Sequence, residues 1–378
     1  MSSLFSPIHL RDLKLPNRIM VSPMCQYSSE NGEANDWHFT HINSLALSGA
    51  SMFCIEATHV EAIGRITPGC LGLWNDATEA ALQPILASVR KHSKAAVMIQ
   101  LAHAGRKASS HTPWDGGQLI PVAEGGWRVE GPSAIPQKEG ETPPQAFDAA
   151  GLSRVREAFV MATKRSERLG IDAVEVHSAH GYLLHQFLSP IANQRTDQYG
   201  GSLENRMRFP LEVFDAVRAA FPADKPVGVR LSSTDWVEGG WDLAQTIEYS
   251  KALKKRGVDW IDASSGGISP LQKIPLDPRL PGAVCAGDQA GCGRTHGRGR
   301  PDHRRQTGRG DRGLRQGRHG RARARHALRP ALGLACRRRT RRRGRSAPAI
   351  LALATLDAES AVRRHHVRYA VTASAAAH

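Results

Sequence analysis

The chain has no uninterrupted run of eighteen apolar residues, which excludes a helical membrane span. Cysteine is scarce, six in 378 residues at irregular spacings, so neither a disulfide scaffold nor a zinc ribbon is expected. No basic segment followed by an apolar one opens the chain, and with so few cysteines a reduced, cytoplasmic compartment is expected. Residues 279–378 contain no lysine, and Tyr369 is their only aromatic side chain.

Charge divides the chain in two. Residues 279–378 carry 24 arginines against five acids, Asp288, Asp302, Asp311, Asp357 and Glu359. Residues 1–278 carry 27 basic and 30 acidic side chains, a nearly neutral balance using both lysine and arginine. The overall net charge of +16 is therefore a property of the C-terminal stretch alone. The first region has the composition of a folded enzyme. The second is Arg, Gly, Ala and His without helical or strand periodicity.

Within 1–278, short β-branched runs alternate with helical patterns. Ile19–Pro23, Ser51–Ala57, Ala95–Leu101, Asp172–His177, Pro226–Leu231 and Trp260–Ser264 read as buried strands. Glu79–Lys91, Leu152–Leu169, Leu203–Phe221 and Asp242–Arg256 place apolar residues three and four apart, as helices do. Such alternation implies an α/β fold with a parallel sheet covered by helices. Six β/α units in this length suit a (β/α)8 TIM barrel better than an open sheet, with strands seven and eight missing or scrambled. A Pro- and Gly-rich insertion, 109–149, follows the third strand and belongs on the rim where such barrels keep their active sites.

The polar residues at the strand ends are the candidates for chemistry. They are Ser22 to Tyr27, Glu56-Ala57-Thr58, Gln100 to His103, His177 to Tyr182, and Arg230. No carboxylate pair suited to glycoside hydrolysis and no serine nucleophile elbow is present. Donors without a nucleophile suit a cofactor that performs the chemistry itself. A His-x-x-His pair with His185 nearby also admits a structural or a metal-binding reading. Cys25 could be a core cysteine, and Arg230 a salt-bridge partner of Glu175 or Asp262. Trp37, Trp74 and Trp114 could line a substrate pocket, but core or loop packing is the preferred reading. Cys54, Cys70 and the other cysteines lack the clustered spacing of an iron–sulfur site, and no metal is expected.

Several segments resemble the old yellow enzyme family of flavin-dependent ene-reductases, in its bacterial xenobiotic-reductase-like subgroup. They are Leu15–Ile19, Ser22–Tyr27, Gln100–Arg106, His177–Pro190 and Asn193–Ser202. The resemblance runs from about residue 4 to 278. It implies FMN at the barrel mouth, held by Ser22, Pro23, Met24, Cys25, Ala57, Gln100 and Arg230, with NADPH or NADH as reductant. It implies that His177 and His180 donate to a substrate carbonyl or nitro oxygen, and that Tyr182 protonates the α-carbon. Tyr27 would contact the substrate, and Cys25 would tune the flavin. The expected substrate is a small molecule with an activated C=C bond, an enone or a nitroalkene. In this subgroup a residue near the C-terminus reaches a neighbouring subunit, implying a homo-oligomer if the full barrel is present.

The tail departs from the family. Residues 279–378 read as a GC-rich coding region out of frame, and as a disordered tail. Read one base later, permitted codons for 299–304, 319–335 and 349–355 give segments resembling the family's seventh strand, eighth strand and C-terminal motif. The slip falls near Asp277 to Arg279. Translated as written, the barrel is expected to keep two unpaired edges and to hold FMN weakly or not at all. An inactive remnant is one alternative. A nucleic-acid-binding protein is another, but the tail lacks Arg-Gly-Gly repeats and interleaved aromatics, so nucleic acid is not the expected partner.

Overall fold

The computed structural model describes residues 3–274 and 350–352; the reading of the remaining tail as frameshifted and disordered lies outside these residues. The chain begins with a hairpin, β1 (Ile8–Leu10) and β2 (Leu13–Leu15), paired antiparallel. The main sheet contains β3 (Ile19–Val21), β4 (Met52–His59) and β5 (Ala96–Ala102). The rim insertion holds only short 3₁₀ turns and a two-stranded pair, β6 (Glu130–Gly131) and β7 (Gln145–Ala146). The main sheet then continues through β8 (Ala173–Ser178), β9 (Val227–Ser232) and β10 (Trp260–Ser264). Strands β3, β4, β5, β8, β9 and β10 pair parallel in that order, six successive units of a curled, TIM-barrel-type sheet.

The helices are α1 (Asp36–Ala46), α2 (Asp76–His92), α3 (Ala149–Arg168), α4 (Leu183–Leu188), α5 (Leu203–Ala220) and α6 (Leu243–Lys255). Five of them start on a side chain that accepts a backbone N–H: Asn35, Asn75, Asp148, Ser202 and Asp242. Helices α1 and α4 were not anticipated from periodicity, being short and, for α4, buried on every side.

Alternation along each strand decides what faces where. Val97, Ile99, Val174, Val176, Val227 and Val229 pack into the layer shared with the helices. Met20, Met52, Cys54, Met98, Ala173 and Trp260 form a separate cluster with Ile8, Leu10 and Leu15 of the hairpin, on the sheet's other face. Burial of such side chains contributes roughly 1.5–3 kcal/mol each.

One expectation is corrected at the sheet edge. The edge of β3 is not unpaired: β11 (Ile350–Ala352) lies antiparallel on it, with Leu351 opposite Met20. An edge strand exposes a row of N–H and C=O groups, which an extended apolar segment can satisfy whatever its origin. An antiparallel partner is not a β/α unit, however. Beyond β10 no further strand pairs among the described residues.

Candidate active site

The site is built from rows of inward-facing residues across neighbouring strands. Register places Ala57 beside Gln100, Gln100 beside Glu175, Glu175 beside Gly228, and Gly228 beside Trp260. The next row up is His177, Arg230 and Asp262, and above it stand Ser232 and Ser264. Gly228 is required here, because a Cβ at that position would lie 1.9 Å from the Trp260 indole. With that space free, Trp260 Nε1 donates to Glu175 Oε2 at 3.2 Å, and Gln100 Nε2 donates to Glu175 Oε1 at 2.8 Å. The amide oxygen of Gln100 is left as its acceptor.

Arg230 Nε lies 3.2 Å from Asp262 Oδ2, which settles its partner in favour of Asp262. Burial, then the charge of Asp262, pushes the Glu175 carboxyl up, against Arg230 and the hydrogen bonds from Gln100 and Trp260. Burial likewise raises Asp262, with Arg230 opposing. Two carboxyls and one guanidinium share a dry interior, so the floor of the site keeps a proton that exposed carboxylates would lose.

The loop after β3 is positioned by a bulge. The register of β4 against β5 shifts between Ile55 and Ala57, which turns Glu56 out of the row. Its Oε2 accepts the Gln26 N–H at 2.8 Å, and its Oε1 lies 3.4 Å from His38 Nε2. Ser22 is buried, while Pro23, Met24 and Cys25 are half-buried. Cys25, Tyr27 and Tyr182 pack into one cluster with Ile66, Cys70 and Ala104. Burial first, then Cys70 and Glu56, raises the Cys25 thiol well above its ordinary value, so it stays protonated.

Strand β8 delivers the histidines. The rings of His177 and His180 are 5.2 Å apart and nearly perpendicular, and the Tyr182 ring is 5.1 Å from His177. His180 adopts φ 58°, a left-handed conformation held from three sides. Ser232 Oγ accepts its N–H at 2.9 Å, Lys107 Nζ donates to its carbonyl at 2.8 Å, and Ser264 Oγ lies 2.6 Å from its Nε2. Burial, and then the charge of Arg230, depresses both imidazoles well below 6.5, so both rings are neutral. His177 Nδ1 is buried without a protein partner, a hydrogen-bonding atom left for a ligand.

The structure separates His185 from this pair. Its Nδ1 accepts the Gly181 N–H at 2.9 Å, and its Nε2 faces Asp235 Oδ1 at 2.9 Å. It therefore braces the 180–182 turn and does not join a metal site with His177 and His180. A different trio, Glu61, His103 and Glu130, does converge. There His103 Nδ1 accepts from Gly105 N–H, which puts the ring proton on Nε2, facing Glu61, while Arg154 bridges Glu61 and Glu130. Arg154 already joins the two carboxylates of this cluster, one cation shared between them, so the trio reads as an ion-pair network.

Sequence reading overlooked two contributors, Lys107 and Ser264, and set a third aside. Lys107 Nζ sits 4.8 Å from the Tyr182 ring centre, and Ser264 contacts His180 from the sixth strand. Trp114, assigned to packing, is largely exposed and stands edge-on to Tyr27 at 5.5 Å. None carried a local motif; each becomes visible only when distant loops meet. Trp74, by contrast, does pack, filling the space beside Gly32 and Gly72.

The residues present fit a flavin: an amide, a guanidinium and an unpartnered imidazole nitrogen share one buried, polar floor at the strand ends. The profile of the NADH:flavin oxidoreductase / NADH oxidase family matches residues 3–274. An NADH:flavin oxidoreductase of Gibberella zeae is 43% identical over 289 residues, 73% of this chain and 70% of that protein. An NADPH dehydrogenase of Listeria innocua is 42% identical over 270 residues, covering 71% of this chain and 75% of its own length. Among solved structures, morphinone reductase in complex with tetrahydroNAD superimposes with a TM-score of 0.60 at 30% identity, over 70% of this chain and 74% of that one. An Old Yellow Enzyme from a Pichia species gives 0.60 at 29% identity, over 70% and 71%. No helix among the described residues is long and apolar enough to cross a membrane. The chain belongs to the NADH:flavin oxidoreductase / NADH oxidase family, the old yellow enzymes, and is an FMN-dependent oxidoreductase that draws on NAD(P)H.

Proposed function

We propose that this protein reduces the activated C=C bond of small enones and nitroalkenes in the cytoplasm, as a homo-oligomer when its barrel is complete. The observation that carries the reading is the convergence of His177, His180 and Tyr182 at ring separations of 5.1–5.2 Å, with His177 Nδ1 unpartnered. Bound FMN would supply the hydride chemistry that links NADPH or NADH to the substrate β-carbon. Gln100, Arg230, Ser22, Pro23, Met24, Cys25 and Ala57 are the residues that would hold it. Arg230 contributes positive charge, and Gln100 its amide oxygen.

The two neutral imidazoles each have one N–H to give. With the Ser264 hydroxyl donating to Nε2 of His180, the ring proton sits on Nδ1 and is available to the substrate oxygen. Donation from both rings withdraws electron density from the conjugated bond and stabilises the developing enolate. Tyr182 then gives its proton to the α-carbon. Burial raises this phenol well above 10, so it arrives protonated, and the Lys107 ammonium over its ring stabilises the phenolate it becomes. Tyr27 contacts the substrate from the loop after β3. Cys25, held as a thiol, packs beside cofactor and substrate without attacking either.

The test is turnover of cyclohexenone with NADPH in a frame-restored protein. His177→Ala/His180→Ala is expected to lower kcat/KM roughly a hundredfold, and undiminished turnover would end the proposal. The second reading, an inactive remnant, is favoured by the unextended edge of β10. It predicts no flavin absorbance from the 378-residue chain, even when FMN is supplied in excess.

A further inference from the structure

We propose that the cavity between the rim insertion and the loop after β10 binds a phosphoryl group, and that the enzyme uses it to hold a phosphate of its nicotinamide reductant. The cavity measures about 260 Å³, with Arg106 and Lys107 on one side and Lys138, Glu141 and Gln272 around it. That is below the volume range that encloses a whole drug-sized ligand, so it takes one end of a longer molecule. The assignment to the reductant rests on the NAD(P)H reading of the active site.

Charge is the first argument. Arg106 is 5% exposed, and its guanidinium is fixed by the carbonyls of Ile135, Pro136 and Ile268 at 3.2, 3.3 and 2.8 Å. Its Nε is buried and unpartnered. Lys107 Nζ donates to the carbonyls of His180 and Gly267 at 2.8 and 3.0 Å. Neither of these, nor Lys138, forms an ion pair among the described residues. Glu141 is the carboxylate in the lining, and its oxygens accept the backbone N–H groups of Lys138 at 3.0 Å and Leu119 at 3.4 Å. Three cations against one carboxylate in the lining, with Asp235 acting on Arg106 from outside it, leave an excess of positive charge that a phosphate would neutralise.

The cost of this arrangement shows in the groups themselves. Burial, then the neighbouring Arg106 and Lys138, brings Lys107 down to about 8. Burial brings Arg106 down to about 10, against the opposing charges of Asp235 and Glu141. Buried charges are ordinarily paired, and a cluster of one sign around a cavity is relieved by a ligand of the other. Half-buried Gln137 adds an amide whose buried Oε1 has no partner; rotation of the amide turns a donor to the same place.

Position is the second argument. Lys107 belongs to both sites: it lines the cavity, and its ammonium lies 4.8 Å from the Tyr182 ring. A ligand anchored here by phosphate therefore adjoins the His177–His180–Tyr182 face.

Titration calorimetry on the full 378-residue chain tests this without flavin. The probes are 2′,5′-ADP, 5′-AMP and inorganic phosphate, against wild type, Lys138→Glu and Lys138→Arg. Binding weakened about tenfold or more by Lys138→Glu, retained by Lys138→Arg, and lost with rising salt is the expected result. Tighter binding of 2′,5′-ADP than of 5′-AMP identifies the 2′-phosphate of NADPH as the source. Equal binding of the two identifies a phosphate common to both cofactors. Binding of inorganic phosphate alone overturns the assignment to the reductant. No binding, or binding indifferent to Lys138→Glu, overturns the site itself. A chain that fails to reduce enones would leave each of these results standing.

Discussion

Nε2 of His180 lies 2.6 Å from Oγ of Ser264, joining the turn after β8 to the end of β10. The contact occupies one imidazole nitrogen and so decides which one is left for a substrate. It also makes the placement of a catalytic ring depend on the sixth strand of the sheet. Ser264→Ala is expected to lower kcat/KM for a conjugated ketone about five- to tenfold, the worth of one hydrogen bond. Stability should change by about 1 kcal/mol or less. Kinetics of the frame-restored variant check this, and an unchanged kcat/KM would separate Ser264 from the orientation of His180.

Glu175 sets a pH dependence. Its folded-state proton affinity is raised above the ordinary glutamate value of 4.5, by burial first and Asp262 second, against Arg230, Gln100 and Trp260. The unfolded chain therefore releases this proton at lower pH than the folded one. Stability from this group is present below 4.5 and declines as pH rises above it. Glu175→Gln should flatten that decline. Thermal midpoints of both proteins at about pH 5 and about pH 8 test it, and parallel shifts would contradict the assignment.

Asp235 braces the turn that carries His180 and Tyr182. It faces His185 Nε2 at 2.9 Å and accepts from Ser189 Oγ at 2.6 Å and Trp241 N–H at 2.7 Å. Burial opposes its charge, but His185 and these donors outweigh it and keep the carboxylate ionised. Asp235→Ala strands all three donors and should cost about 3–5 kcal/mol by urea denaturation. A loss within experimental error would show that the turn is held elsewhere.

The reading frame of the tail is directly checkable. The family profile matches residues 3–274, and 25–30% of the length of the two relatives lies outside their aligned part. We propose a one-base slip near Asp277 to Arg279. DNA sequencing across codons 275–285 should show it. Frame-restored protein should carry stoichiometric FMN, because the loops after strands seven and eight usually grip the phosphate. Stoichiometric yellow protein from the chain as written would refute this.

Much of the fold was legible beforehand. All six parallel strands lie within two residues of their anticipated bounds, since continuous β-branched runs between glycine-ended helices admit few other readings. The hairpin Ile8–Leu15 and the short helix α4 were not legible: three-residue strands carry too little periodicity, and α4 has no polar face. The edge pairing of Ile350–Ala352 was not legible either, because nothing local marks an extended segment as the partner of an edge so distant in sequence.

For the site, sequence determined which side chains stand at strand ends, because period-two alternation and helix caps are local properties. Only the tertiary structure decided their partners. Arg230 could have met Glu175 or Asp262; the register of β9 against β10 put Asp262 beside it, while β5 and the Trp260 indole claimed Glu175. Lys107 over Tyr182 and Ser264 against His180 join residues 75 and 84 positions apart. Such contacts follow from strand order and sheet curvature, which belong to the folded chain as a whole.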